Sequence, residues 1–114
     1  MSSNSKSSFE FVMKLARQYL SDDGVKVVHG LVNPATGTKR DEYRTAPIYQ
    51  HAWVEKDGSV YDWQTLELRM GKYAGKVWPQ IEFYQVFVPS FVKKYTPELA
   101  LQKMWDTGTK GPWE

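Results

Sequence analysis

Hydrophobic positions recur at helical spacing near the start of the chain. In the segment FEFVMKLARQYL, residues 9–20, apolar side chains return every three or four residues and charged or amide side chains fall between them. This period predicts an amphipathic helix that packs on a core through one face. Ser7 followed by Glu10 fits a capping box at its start, and Gly24 lies where it should stop.

Four later segments have the composition of β-strands. Val25 to Val32 is rich in β-branched residues and predicts a buried strand. Ile48 to Glu55 and Ser59 to about Leu66 predict two more strands, and the Asp57-Gly58 pair between them is a strong hairpin signal because both positions tolerate positive φ. The aromatic-rich segment IEFYQVFV, Ile81 to Val88, predicts a fourth strand.

The remaining segments complete an α+β pattern. Residues 33–47 are polar and predict a long connection, a kind of loop that is often functional. Thr96 followed by Pro97 predicts the start of a second helix, and Trp113 in the sequence GPWE is expected to dock back onto the body. We therefore predict an antiparallel sheet of about four strands packed against an N-terminal helix, with a second, C-terminal helix.

Length and composition favour one folded unit. The chain has 114 residues, of which 41% are hydrophobic and 15% aromatic, enough for one packed core. Its first residues, MSSNSKS, are small and polar, so residues 1–7 are predicted to be a flexible tail and residues 8–114 a single domain.

Charge and residue usage exclude several function classes. The formal net charge is +2 and the basic residues are scattered, which argues against a nucleic-acid partner. No apolar run approaches the roughly 20 residues that span a bilayer, so we expect no membrane partner and a cytoplasmic protein. With no cysteine and two histidines, the chain offers no thiol nucleophile and little support for a metal site or other cofactor.

The predicted hairpin brings two titratable groups to one face of the sheet. If residues 57 and 58 form the turn, then His51, Trp53, Asp62 and Gln64 share a face, and His51 and Asp62 are diagonal neighbours. A carboxylate there could orient the imidazole and raise its basicity. The alternative is that both are ordinary polar residues on a solvated face, and a register slip by one residue would separate them.

The other histidine, His29, lies in the first predicted strand. By strand alternation it points the same way as Val27 and Leu31. This pattern favours a histidine on an apolar face with its ring nitrogens satisfied over a ligand or catalytic role.

The stretch VVHGLV, a polar loop and then HAWVEKDGSVYDW resemble the histidine and aspartate strands of bacterial and phage transglutaminase-like domains, relatives of papain-like cysteine proteases. The resemblance runs from the first helix through the fourth predicted strand. It implies amide acyl transfer or hydrolysis on a protein or peptide, without a cofactor. It also implies that His51 is the base and Asp62 the acid that orients it.

The same resemblance gives roles to the neighbouring residues. Trp53 and Tyr61 would be packing residues, and Trp53, Trp63 and Gln64 would border a cleft between the helix and the sheet. The nucleophilic cysteine of such domains falls at or near Ser8, where this chain has none.

Three interpretations of Ser8 are open: a helix cap, a nucleophile replaced naturally or by engineering, and a working serine nucleophile. Two functions are open as well. The first is an acyl-transfer or hydrolytic domain impaired by the missing cysteine. The second is a non-catalytic module that binds a protein or peptide through the cleft and the 33–47 loop, for instance as a phage accessory protein.

Overall fold

A computed structural model of the protein describes residues 4–63 and 75–113 and has the predicted α+β architecture. Its sheet has five antiparallel strands in the order β4-β3-β2-β1-β5. The elements in chain order are α1 (Asn4–Gln18), β1 (Val25–Val32), α2 (Arg40–Tyr43), β2 (Tyr49–Lys56), β3 (Ser59–Trp63), β4 (Gly75–Pro79), α3 (Gln80–Phe87), β5 (Ser90–Tyr95) and α4 (Pro97–Thr107).

The predicted hairpin is confirmed, and its predicted register holds from the turn as far as Val54 and Tyr61. Residues 64–66 of the predicted third strand lie outside the described residues. Asp57 and Gly58 form the turn with φ of 53° and 77°, values that suit a two-residue connection between twisted strands. Lys56 pairs with Ser59, and Val54 with Tyr61. Residues two apart along β2 therefore share a face, as do their partners on β3.

The first helix begins earlier than its sequence signals predicted. It starts at Asn4, so residues 4–7, predicted as tail, belong to it. Ser7 and Ser8 lie inside the helix, and neither is its N-cap. The capping-box prediction was wrong: the helix extends four residues N-terminal to Ser8, into a polar segment whose sequence has no apolar periodicity to indicate a helix.

The predicted fourth strand is wrong: residues 80–87 form the helix α3. Its buried side chains, Phe83, Val86 and Phe87, are three and four residues apart and pack on one side, as helical geometry requires. The packing of these rings outweighs the strand preference of an aromatic-rich segment. The strands β4 and β5, on either side of α3, had not been predicted.

The connection at residues 33–47 is more ordered than a long loop. It contains a 3₁₀ turn at Pro34–Thr36 and the short helix α2. It is anchored to α3, because the amide of Asn33 donates to the carbonyl of Phe87 at 2.7 Å and the amide of Thr38 to that of Gln85 at 2.9 Å. A Cβ at Gly37 would lie 2.1 Å from the carbonyl oxygen of Val86, so this close approach needs glycine.

The sheet carries helices on both sides, and each side buries its own core. On the side that we call the α1 face, α1 and α4 pack against alternate residues of β1 and β2. Its core comprises Phe9, Phe11, Val12, Met13, Leu15, Ala16, Val25, Val27, Ala52, Val54, Tyr95, Ala100 and Trp113. On the opposite side, the α3 face, the core comprises Val28, Val32, Trp53, Val60, Trp78, Phe83, Val86 and Phe87.

The C-terminal part of the fold matches its sequence signals. The Thr96 side chain accepts a hydrogen bond from the amide of Leu99 at 3.1 Å, capping α4 ahead of Pro97. Trp113 is 6% exposed and packs against His29 and Tyr95, so it docks as predicted. Among the helices described here, none has the length and apolar character needed to cross a bilayer.

Candidate active site between the second and third strands

The site begins where two neighbouring strands stop pairing. The β2–β3 ladder runs from the turn to Val54 and Tyr61, whereas β3 goes on pairing with β4 as far as Trp63. Trp53 and Asp62, the next residues toward the open end, are not a ladder pair. A gap therefore opens between β2 and β3 at the level of His51 and Asp62.

Across this gap His51 and Asp62 are joined through their side chains. The imidazole Nε2 lies 2.6 Å from the carboxylate Oδ1, and the second carboxylate oxygen accepts a hydrogen bond from Trp78 Nε1 at 3.3 Å. The predicted contact between the two residues is thus present. The carboxylate fixes the imidazole so that Nε2 faces it and Nδ1 is left for another group. Among the described residues, Nδ1 has no hydrogen-bond partner.

Ser8 of α1 enters the same gap from the α1 face. Its hydroxyl oxygen accepts a hydrogen bond from the backbone amide of Ala52 at 3.2 Å. Alternate residues of an antiparallel strand direct their amides to the same neighbour, so the amide of Ala52, like that of Val54, points toward β3. Ser8 takes the place that a β3 carbonyl would occupy if the ladder continued.

This hydrogen bond brings Ser8 next to His51. The amide nitrogen of Ala52 is bonded to the carbonyl carbon of His51, so an oxygen 3.2 Å from that nitrogen lies within about 6 Å of the His51 Cα. The Ser8 hydroxyl thus lies near the backbone of His51, whose side chain is hydrogen-bonded to Asp62. The ring of His51 lies among the aromatic side chains of the α3 face.

All three side chains are buried. Ser8 is 0% exposed, His51 4% and Asp62 1%. The rings of Tyr49 and Phe87 have their centroids 5.6 and 6.4 Å from that of His51. Burial, together with the charge of Asp62, raises the pKa of Tyr49 to about 12, which keeps its hydroxyl protonated and excludes it as a base near neutral pH.

The prediction that Trp53, Trp63 and Gln64 line a cleft is not supported by the described residues. Trp53 is 0% exposed and belongs to the core of the α3 face, so it packs and does not line a cleft. The side chain of Trp63 and all of Gln64 lie outside the described residues. Between α1 and the sheet, the described side chains form a packed apolar core where the cleft had been expected, because the helix presents its apolar face directly to β1 and β2.

A second buried carboxylate on the α3 face was not predicted. Glu55 is 6% exposed and accepts hydrogen bonds from Tyr84 at 2.5 Å and from Trp53 Nε1 at 2.9 Å, and it pairs with Lys94 at 2.9 Å. Burial raises the pKa of Glu55, but these hydrogen bonds and the lysine outweigh burial and lower it. Strand alternation was the available signal, since Glu55 shares its face with His51 and Trp53.

The other histidine, His29, lies on the α1 face and is as buried as His51. Its ring contacts Phe9, Tyr95 and Trp113, with centroid distances of 4.6, 5.3 and 4.8 Å. The predicted apolar surroundings are confirmed, but the prediction that its ring nitrogens are satisfied is wrong: neither has a partner in the described part of the chain.

The acidic and histidine side chains of residues 4–63 and 75–113 form no group of three that could hold a metal ion. Comparison of the chain with protein-family models, with curated proteins and with solved structures found no match.

Proposed function

We propose that this chain is a transglutaminase-like, papain-related domain whose ancestral chemistry is acyl transfer or hydrolysis at an amide of a protein or peptide. Ser8 in place of the family's cysteine leaves it catalytically impaired. One observation carries the proposal: where β2 and β3 separate, His51 is hydrogen-bonded to Asp62, and the hydroxyl of Ser8 on α1 accepts from the backbone amide of Ala52, the residue after His51.

The chemistry follows from the atoms at this gap. A nucleophile at position 8 attacks the amide carbonyl, and His51 takes its proton at Nδ1 and passes it to the leaving amine. Asp62 holds Nε2 and stabilises the imidazolium that forms. The amide of Ala52 donates to the attacking oxygen and so favours its anionic form.

Serine weakens the first of these steps. A hydroxyl is far less acidic than a thiol, so it needs a stronger base to become an anion at neutral pH. The Ala52 amide compensates for a part of this difference only. The proposed domain therefore keeps a base, His51, and an orienting acid, Asp62, but its nucleophile is a weakly acidic hydroxyl.

A different observation favours a second candidate, a non-catalytic module that binds a protein or peptide. With Ser8, His51 and Asp62 all buried, a substrate carbonyl reaches them only if the surrounding side chains move. In this alternative the His51–Asp62 pair holds the strands together across the gap. Partner contacts are then made elsewhere, for instance by exposed aromatic residues such as Phe91 and Trp105.

Restoring the thiol distinguishes the two candidates. For Ser8→Cys we expect alkylation by iodoacetamide well below pH 8, because a neighbouring histidine lowers the pKa of a thiol. Ser21→Cys, at an exposed serine, provides the control with an ordinary pH profile. Adding His51→Gln to Ser8→Cys should move its profile up to that of the control.

The proposal fails if the Ser8→Cys thiol reacts only when the protein is unfolded, or if its pH profile does not change with His51→Gln. Either result favours the binding module. Circular dichroism of each variant at the labelling temperature verifies that the fold is intact.

A further inference from the structure

A cavity of about 250 Å³ opens beside His29, on the α1 face of the sheet. Its lining includes His29, Gln50, Phe91, Lys93 and Trp113. It is separate from the Ser8, His51 and Asp62 gap, and nothing in the proposed acyl-transfer chemistry uses it.

His29 supplies polar atoms that the protein itself does not use. Its side chain is 4% exposed, and both ring nitrogens lack a hydrogen-bond partner among the described residues. A neutral imidazole has one N–H donor and one acceptor nitrogen, and leaving such groups unmet in an apolar site costs free energy. A ligand that accepts from the imidazole would recover part of that cost.

Lys93 determines the charge of the ligand. It is the one formally charged side chain in the described lining of the cavity, and no carboxylate faces it there. Burial, with a contribution from the positive charge of Lys93, lowers the pKa of His29 to about 4, so the imidazole is neutral at physiological pH. The lining of the cavity therefore contains one cation, Lys93, and one neutral imidazole, that of His29.

Aromatic side chains in the lining favour a ligand with an apolar ring. Trp113 forms one wall, and Phe91 lies at the rim with 82% of its surface exposed. Phe91 also has a φ of 52°, a conformation rare for a bulky residue, and such strained residues cluster at ligand sites. Ligand pockets for drug-sized molecules start at about 300 Å³, so this cavity of about 250 Å³ suits a smaller, one-ring molecule.

We propose that this cavity binds a small carboxylate that carries an apolar ring. The carboxylate accepts the N–H of His29 and pairs with the ammonium of Lys93, and the ring packs on Trp113 and Phe91. This inference does not depend on the acyl-transfer proposal.

The probe is benzoate, titrated into protein labelled with ¹⁵N and followed by the imidazole resonances of the two histidines. We expect benzoate to shift the nitrogens of His29 and to leave those of His51 in place. Benzamide, which has the same ring and no charge, should bind at least about tenfold more weakly, because a charge-assisted hydrogen bond is lost. Acetate, which has the charge and no ring, should also bind more weakly.

Neighbouring lysines provide matched variants. Lys93→Gln should weaken benzoate about tenfold. Lys94→Gln should not, because Lys94 is the next residue of β5 and pairs with Glu55 on the α3 face. His29→Phe keeps an aromatic ring and removes both nitrogens, so it should abolish the preference for benzoate over benzamide.

The proposal is overturned if benzoate leaves His29 unshifted at millimolar concentration, if benzamide binds as well as benzoate, or if Lys94→Gln weakens binding as much as Lys93→Gln. The two lysine variants and the benzamide comparison decide the matter even if His29→Phe does not fold.

Discussion

The two histidines are equally buried, at 4% exposure each, yet their surroundings differ in kind. His51, on the α3 face, has a carboxylate 2.6 Å away, and that carboxylate also accepts from Trp78. His29, on the α1 face, contacts three aromatic rings and no hydrogen-bond partner within the described residues.

Burial alone therefore does not identify a site. The fold pairs Nε2 of His51 with a carboxylate and leaves both ring nitrogens of His29 without a hydrogen-bond partner among the described residues. The first arrangement suits proton transfer or the joining of two strands, and the second suits a ligand that brings its own polar group. The same substitution at the two positions should therefore change stability by very different amounts.

Replacing each histidine with phenylalanine should give the greatest difference in stability between two variants. His51→Phe leaves the Asp62 carboxylate buried without the imidazole, which should lower the free energy of unfolding by about 3–5 kcal/mol. His29→Phe loses no hydrogen bond and should change it by less than about 1 kcal/mol. Urea unfolding followed by tryptophan fluorescence measures both, and equal losses would contradict the comparison.

Titration of His29 should change the free energy of unfolding by slightly less than His51→Phe does. Burial and Lys93 lower its pKa from 6.5 to about 4 in the folded protein, so between these values the unfolded chain binds more protons. The resulting stabilisation is complete above pH 6.5 and is lost as the pH falls toward 4, amounting to about 3 kcal/mol. Urea unfolding at pH 7 and pH 4.5 should show this loss in the wild type, and His29→Phe should lack it. If both proteins lose the same amount, other groups cause the effect.

The hydrogen bond from Trp78 to Asp62 should contribute less to stability than either histidine effect. Trp78→Phe removes the indole N–H that lies 3.3 Å from the carboxylate and keeps most of the ring packing. We expect a loss of about 1 kcal/mol in the free energy of unfolding. Trp105→Phe is the control, because Trp105 is 79% exposed and should change stability little. A loss near that of His51→Phe would contradict the expectation that His51 is the stronger partner of Asp62.

Local signals in the sequence were sufficient to predict the hairpin and the start of α4. The Asp57-Gly58 turn fixed the register that places His51 and Asp62 on one face, and Thr96 with Pro97 marked the start of α4. Both depend on neighbours in the chain, where turn and cap chemistry act. This register was the basis for predicting the contact between His51 and Asp62.

Tertiary packing decided what the sequence did not predict. Residues 80–87 have strand-like composition, but Phe83, Val86 and Phe87 fill the α3 face only when they are presented at helical spacing. The position of Ser8 depends on where β2 and β3 separate, which no local pattern reports. The unmet nitrogens of His29 depend on Trp113, which is more than eighty residues away in the sequence.

That last contact also affects how the chain folds. Trp113 lies against His29, and the neighbouring Gly111 comes so close to Phe9 that an added Cβ would be 3.0 Å from its ring, so one core joins residues about a hundred positions apart. Contacts of such sequence separation slow folding, because the loop must close before the packing energy is gained. On a ribosome, α1 and β1 emerge long before residue 113, and their aromatic surface stays uncovered until that tryptophan arrives.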